Sequence, residues 1–253
     1  MISQKTIINT FYITYVLLIT TGTITFIEAI RTKDEFIRNI LNLETCISIV
    51  GAFFYDRFIN TIEENIENKE NIENIENKEN EENKENEENE EHEENEEKKQ
   101  INYKKINNLR YIDWSITTPM MLVSLSLAFL YNTVRGPILI HNIIIMFLLN
   151  YGMLGSGYLG EINILSRNTA TIIGFGFFIS LYAYIYNIFI KNRYNLVNII
   201  TYCLFIILWG LYGIFYLMDE VTKNIGYNIL DLFSKCFTGI FFWAYFTKII
   251  SIK

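Results

Sequence analysis

The chain has little of what cross-links most small proteins or lets them bind metal. Among 253 residues there are three cysteines, two prolines and two histidines. Cys46, Cys203 and Cys236 have no spacing that frames a disulfide scaffold, and each lies in an apolar run where it reads as a small packing residue. His141 has no partner histidine near it, so no metal site is expected. Charge is scarce too, once it is located. The formal net charge is −7, but residues 61–100 hold 18 Glu and 5 Lys, a local −13. The other 213 residues hold 10 acidic and 16 basic groups, a balance of +6. Ile62, Ile66, Ile72 and Ile75 are the large apolar residues of that window, so the remainder is close to 60% apolar. About 45–50% is usual in a soluble domain. An ordinary soluble fold is therefore excluded, and so is a disordered chain; no nucleic-acid partner and no enzymatic activity are expected. What remains is a multi-pass membrane protein with one acidic, low-complexity insert.

A helix crossing the hydrocarbon core needs about 20 mostly apolar residues. Seven segments qualify: 7–30, 36–59, 109–131, 138–158, 169–190, 196–217 and 225–249. The expected fold is an all-α bundle of seven membrane helices. Residues 1–60 carry the first two spans and 61–105 an extracellular loop insert. Residues 106–253 carry the other five, which join the first two in a single domain. Pro119 falls inside the third span, where neighbouring helices tolerate it. No cleavable signal peptide is evident, since the first apolar run is too long and lacks a small-residue cleavage site. Loop charge sets the orientation. Arg31, Lys33, Arg38, Arg135, Lys191, Arg193, Lys248 and Lys253 fall on one side, taken as cytoplasmic. The N-terminus is then outside and the C-terminus inside.

In the insert one residue recurs at every third position, from Asn65 through Asn89, then His92 and Asn95. A triplet period matches neither helix nor strand, and so polar a segment cannot offset its ordering entropy. Disorder or a frayed, solvated helix is expected. The plainer origin is repeat expansion; the functional alternative is a cation-attracting brush.

An ionisable residue at bilayer depth is a functional-site hypothesis by default. The seventh span carries Asp231 and Lys235, four apart and so on one face. Lys235 is too deep to snorkel to either surface. It reads either as half of a structural ion pair or as a Schiff-base lysine, whose amine a dry pocket frees to attack an aldehyde. The third span reads Arg110-Tyr111-Ile112-Asp113-Trp114-Ser115-Ile116-Thr117-Thr118-Pro119-Met120-Met121. Asp113 and Thr117 share a face, with Arg110 one turn outward, and such a carboxylate can serve as counterion to a charged Schiff base. Glu44 lies in the second span.

The R-Y-x-D-W-x-x-T-T-P string on the third span, with D-x-x-x-K on the seventh, resembles the microbial (type 1) rhodopsins. W-x-x-Y on the sixth span, Trp209 and Tyr212, resembles their retinal-clamping aromatics, with Gly213 where the family usually has proline. The asparagine-rich expansion is similar to viral or protist members. The resemblance implies that Lys235 binds all-trans-retinal as a protonated Schiff base. It implies that Asp113 is primary counterion and proton acceptor, Asp231 second counterion, and Thr117 the hydrogen-bond partner of Asp113. Arg110 would close the outer half-channel. Trp114, Met121, Trp209, Tyr212 and Tyr216 would line the polyene, Met153 and Gly157 would pack near the ring, and Tyr55 would lie near the counterion. A homo-oligomer, trimer or pentamer, is usual in the family.

In the family's proton pumps a carboxylic donor stands eleven residues after the counterion; here that residue is Ser124. Glu44, eleven residues before Tyr55, is about 16 Å along its helix toward the cytoplasm at 1.5 Å per residue. Ser124 is a similar rise from Asp113 on an antiparallel helix. Glu44 and Ser124 should therefore stand at one depth, and if they face each other Glu44 can act as the donor. Otherwise Glu44 only caps its helix near the interface. The leading expectation is a light-driven outward proton pump. The alternatives are a light-gated cation channel, suggested by Asn228 but opposed by Gly51 where a gate glutamate should align, and a photosensory receptor with a slow photocycle. Asp219, Glu220 and Glu161 are candidates for an outer proton-release group.

Overall fold

The computed structural model describes residues 4–82 and 102–250, with side chains for 6–65 and 102–250. Within these the chain is helical, in the order α1 (Gln4–Arg31), α2 (Glu35–Glu82), α3 (Tyr103–Tyr131), α4 (Ile140–Glu161), α5 (Arg167–Ile185), α6 (Leu196–Phe215), α7 (Glu220–Asp231) and α8 (Thr238–Phe246). A π-helical turn, Leu232–Phe237, joins α7 to α8, and together they make one span; another, Tyr186–Ile190, extends α5. Seven spans result, matching the seven expected, with ends that differ by up to six residues in either direction along the chain.

The helices are apolar on their outer faces and polar within, the reverse of a soluble bundle. Ile13, Val16, Leu148, Ile172 and Ile207 are exposed, facing outward where lipid would lie, while Thr14, Asn107, Asn150, Asn224 and Asn228 are buried. Each buried polar group needs a partner, because the bilayer offers none. Thr25 of α1 meets Thr45 of α2 at 2.9 Å. Asn198 of α6 bonds the Phe129 carbonyl of α3 at 3.0 Å. Pro119 has no N–H for the Ser115 carbonyl one turn back, and the Tyr151 hydroxyl of α4 takes that carbonyl at 3.1 Å.

One expectation changes. Cys46 and Cys203 are exposed on the outer helix faces, and only Cys236 is buried. The second helix also continues past the membrane to Glu82, so the first part of the insert is helical and the rest, 83–101, lies outside the described residues. Glu and Lys are good helix formers, and a helix already nucleated in the membrane propagates at little cost. At the base of this extension Lys105 pairs with Glu64 at 3.1 Å. The ends of α2 and α3 are therefore adjacent without the insert. Replacing residues 70–98 by a short Gly/Ser linker is expected to leave the helical circular-dichroism signal of the spans and the visible pigment unchanged. A lost pigment would mean that the insert is part of the fold.

Candidate functional site

Lys235 lies in the π-turn, a local widening of the helix that recurs at functional sites. Its Nζ is 2.6 Å from Asp113 Oδ2 and 3.5 Å from Asp231 Oδ2. Arg110 NH1 stands 3.5 Å from the same Asp231 oxygen. All four side chains are at most 1% exposed, so the two strings singled out on the third and seventh spans meet in the middle of the bundle. The two carboxylates differ in support. Asp231 accepts from Tyr212 at 2.6 Å, Tyr55 at 2.9 Å and Arg110. Asp113 accepts from Lys235, and its Oδ1 is buried without a hydrogen-bond partner.

From Lys235 a cavity runs between α3, α4, α5 and α6, with about 800 Å³ of empty space counting its opening. Its wall is almost wholly apolar. Trp114, Met121, Met153, Gly157, Trp209, Tyr212 and Tyr216, all singled out in the sequence, line it. Trp114 stands edge-on to Tyr212 at 5.4 Å and to Tyr227 at 5.0 Å. Phe175, which the sequence reading passed over, packs where a side chain on residue 213 would be: a Cβ there would lie 2.7 Å from its ring. The departure from proline at Gly213 thus makes room for Phe175.

Tyr55 stands beside the carboxylate pair, as expected, and not in the cavity wall: its hydroxyl donates to Asp231 and, at 3.1 Å, to Asn228. Thr117 donates to the main-chain carbonyl of Asp113 at 2.9 Å, not to its carboxylate, because a helical threonine readily bonds four residues back. On the far side of Lys235, Ser124 donates to Glu44 Oε1 at 2.5 Å. The two therefore face each other at one depth, both buried. Gly239 of α8 leaves the space for Glu44, whose Oε2 would be 3.3 Å from a Cβ there. Gly51 packs on the stem of Lys235, with Lys235 Cδ 3.7 Å from where its Cβ would be.

Among the outer carboxylates, Asp219 stands apart. It caps α7, and the hydroxyl and amide of Thr222 with the amide of Val221 hold its carboxyl below the usual aspartate range. Glu161 and Glu220 instead share two donors, Lys223 and Asn107. Lys223, Asn224, Tyr227 and Asn228 were missed as a group, yet with Asp231 and Lys235 they form a polar stripe at helical spacing along the seventh span. That spacing in an otherwise apolar span was the available signal.

A seven-helix membrane bundle with a buried lysine–carboxylate centre opening on an aromatic cavity is the architecture of the retinal-binding rhodopsins. Residues 6–249 match the family model described as bacteriorhodopsin-like protein, and the chain belongs to that family, the microbial rhodopsins. The viral rhodopsin OLPVRII is 43% identical, with a TM-score of 0.79 over 97% of this chain and 99% of that one. Xanthorhodopsin, a light-driven ion pump with dual chromophore, is 17% identical, with a TM-score of 0.68 over 94% and 91%. The light-driven proton pump of Coccomyxa subellipsoidea is 14% identical, with a TM-score of 0.64 over 96% and 97%. The last two share the fold. No match was found among curated proteins. Retinal is the group that family membership implies, and the residues present fit it. A long apolar cleft walled by two tryptophans ends at a lysine with two carboxylates beside it.

Tyr55 and Tyr212 each remove one hydrogen bond from Asp231 when changed to phenylalanine. Each variant is expected to lose about 1.5–3 kcal/mol, the scale for a bond to a charged group. Thermal unfolding of the purified protein measures it, and wild-type stability in both would remove Asp231 as the hub of the site.

Proposed function

We propose that the chain is a light-driven pump that moves protons outward, with the N-terminus outside and the C-terminus in the cytoplasm. Bound to Lys235 as a protonated Schiff base, retinal would supply light absorption and an isomerisation that changes the access and proton affinity of the lysine nitrogen. The chain's own groups do the rest. Asp113 Oδ2, nearest to Lys235 Nζ, takes the proton from that nitrogen. Asp231 has three protein donors besides Lys235, whereas Asp113 has Lys235 alone. Once the lysine nitrogen gives up its proton, Asp113 is the carboxylate with least support as an anion. Arg110, buried between Asp113 and the outer end of the bundle, opposes the proton's return.

The observation that carries this reading is the placement of carboxyls on both sides of Lys235. On the cytoplasmic side, Glu44 is the proton donor to the lysine nitrogen, and it recharges from the cytoplasm. A carboxyl group enclosed by protein and hydrogen-bonded to a serine hydroxyl is suited to carry a proton until the nitrogen calls for it. The channel alternative has Asn228, which bonds Tyr55, Arg110 and Thr10 where several helices cross. Yet that route is occupied by buried side chains held in ion pairs, Arg110 with Asp231 and Lys223 with Glu161 and Glu220.

Added all-trans-retinal is expected to give a visible absorption band that Lys235→Ala abolishes. Illuminated cells in unbuffered medium should acidify it, a protonophore should cancel the signal, and Asp113→Asn should lose it. A photocurrent reversing near a cation equilibrium potential would replace pump by channel. No transport of either kind, with the pigment intact, would point to a receptor. Glu44→Gln should slow recovery of the pigment about 10²-fold, the scale of a lost general acid. The exchange variant Glu44→Ser with Ser124→Glu should regain much of that rate. Recovery at wild-type speed in Glu44→Gln would remove the donor assignment.

A further inference from the structure

Outward of Arg110 lies a second buried ionic cluster, in which Lys223 of α7 is the centre. This side chain is 0% exposed, and its Nζ donates to Glu161 Oε1 of α4 at 2.9 Å and to Glu220 Oε1 at 2.8 Å. Asn107 of α3 donates one amide nitrogen to both carboxylates, at 2.6 and 2.8 Å. Arg167 of α5 closes the cluster from the surface, 3.1 Å from Glu220. The set is neutral, with two carboxylates and two cations. It also joins the centre: Arg110 donates to Asn224 Oδ1 at 3.2 Å, and Asn224 donates to Asn107 Oδ1 at 3.4 Å. An unbroken hydrogen-bonded route therefore runs from the site to Glu220, which is 36% exposed.

Two carboxylates that touch the same amide nitrogen cannot both stay ionised unaided; a like-charged pair so close ordinarily keeps one proton between them. Such a pair would be a proton store, discharged when a charge arrives at Asp113. Lys223 removes the reason for the store. Its Nζ donates to both carboxylates and Arg167 reaches Glu220 from the surface, so these groups supply the positive charge that a shared proton would otherwise bring. The other titratable groups facing the cluster are Tyr103 of α3, Tyr216 of α6, and Tyr111 and Tyr227, which are phenols and neutral at ordinary pH.

We propose that Lys223 is a positioning residue that sets the order of proton release and uptake. With Glu161 and Glu220 both bound to its Nζ, no proton waits between them at the outer end. The proton given to Asp113 appears outside only when Asp113 itself lets go, after Glu44 has donated inward and been recharged. Uptake from the cytoplasm precedes release. This inference rests on the outward-pump reading above.

The test is a single flash on the retinal-loaded full chain in detergent, with a water-soluble pH-indicator dye. The wild type is expected to show alkalinisation first and acidification later, together with decay of the protonated Asp113 infrared band. Lys223→Gln should reverse the order, with release about tenfold or more earlier and a new protonated-carboxyl infrared band that Glu161→Gln removes. Lys223→Arg should keep the wild-type order. Release before uptake in the wild type overturns the inference even if no variant folds, and so does a folded, pigmented Lys223→Gln protein with late release. Failure to acidify the medium under steady light overturns the pump reading and this inference with it. Acidification with early release overturns this inference alone.

Discussion

The centre of the molecule depends on keeping four charges together away from water. Lys235, Asp113, Asp231 and Arg110 are each essentially unexposed, and a charge in a low-dielectric interior costs several kcal/mol unless it is paired. Neutrality alone is not enough, because each group also needs hydrogen bonds in place of water. Those come from Tyr55 on α2, Tyr212 on α6, and Asn224 and Asn228 on α7. The quartet therefore fixes the register of four of the bundle's spans to within a hydrogen bond. Elsewhere the helices meet through apolar packing and single interhelical hydrogen bonds such as Thr25–Thr45 and Asn198–Phe129. Removing any one member leaves an unpaired charge, a larger loss than the pair's net contribution.

The same constraint explains why so much of the site was legible beforehand. Span number follows from apolar run length, and ionisable groups inside a span are rare enough to be noticed singly. Arg110 and Asp113, and likewise Asp231 and Lys235, are one turn apart on their own helices, so spacing alone puts each pair on a face. Even Glu44 and Ser124, on different helices, could be matched in depth by counting rise from two anchors. What spacing does not supply is azimuth between helices. Tyr55 was expected near the counterion, but spacing did not say that its hydroxyl would be shared between Asp231 and Asn228. Thr117 was paired with a carboxylate, yet it bonds the main chain. Lys223 drew no notice among the loop charges, because nothing in the sequence says that Glu161, some sixty residues away, will reach it. The insert left two expectations open, disorder or a solvated helix, because its period was judged in isolation; up to Glu82 the backbone continues the helix already started in the membrane.

The two ends of the bundle treat carboxyls in opposite ways. At one end Glu44 stands with a single serine hydroxyl and no cation among its hydrogen-bonding partners. At the other, Glu161 and Glu220 are clamped by Lys223, Arg167 and Asn107. The first arrangement pairs an acid with a neutral donor, and the second pairs two acids with cations. The sequence-level inventory of acids, taken as a count, would rank the outer end as the richer proton reservoir. The contacts reverse that order.

Glu44 and Ser124 carry a further lesson about position and contact. The family's familiar donor is an acid on the third helix, and on that helix alone this chain appears to lack one. The hydrogen bond across α2 and α3 involves one acid and one hydroxyl, and its geometry does not depend on which helix supplies which. Exchanging the two keeps a carboxyl at the same depth and beside the same partner. Only the direction of approach to Lys235 changes, from α3 to α2, where Gly51 keeps the helix close against the lysine stem. A side chain at 51 would meet Leu18 of α1 first, at 3.2 Å, and touch the lysine stem at ordinary contact distance. Gly51 and Glu44, seven residues apart on α2, thus stand about two turns from each other along the face that looks toward Lys235.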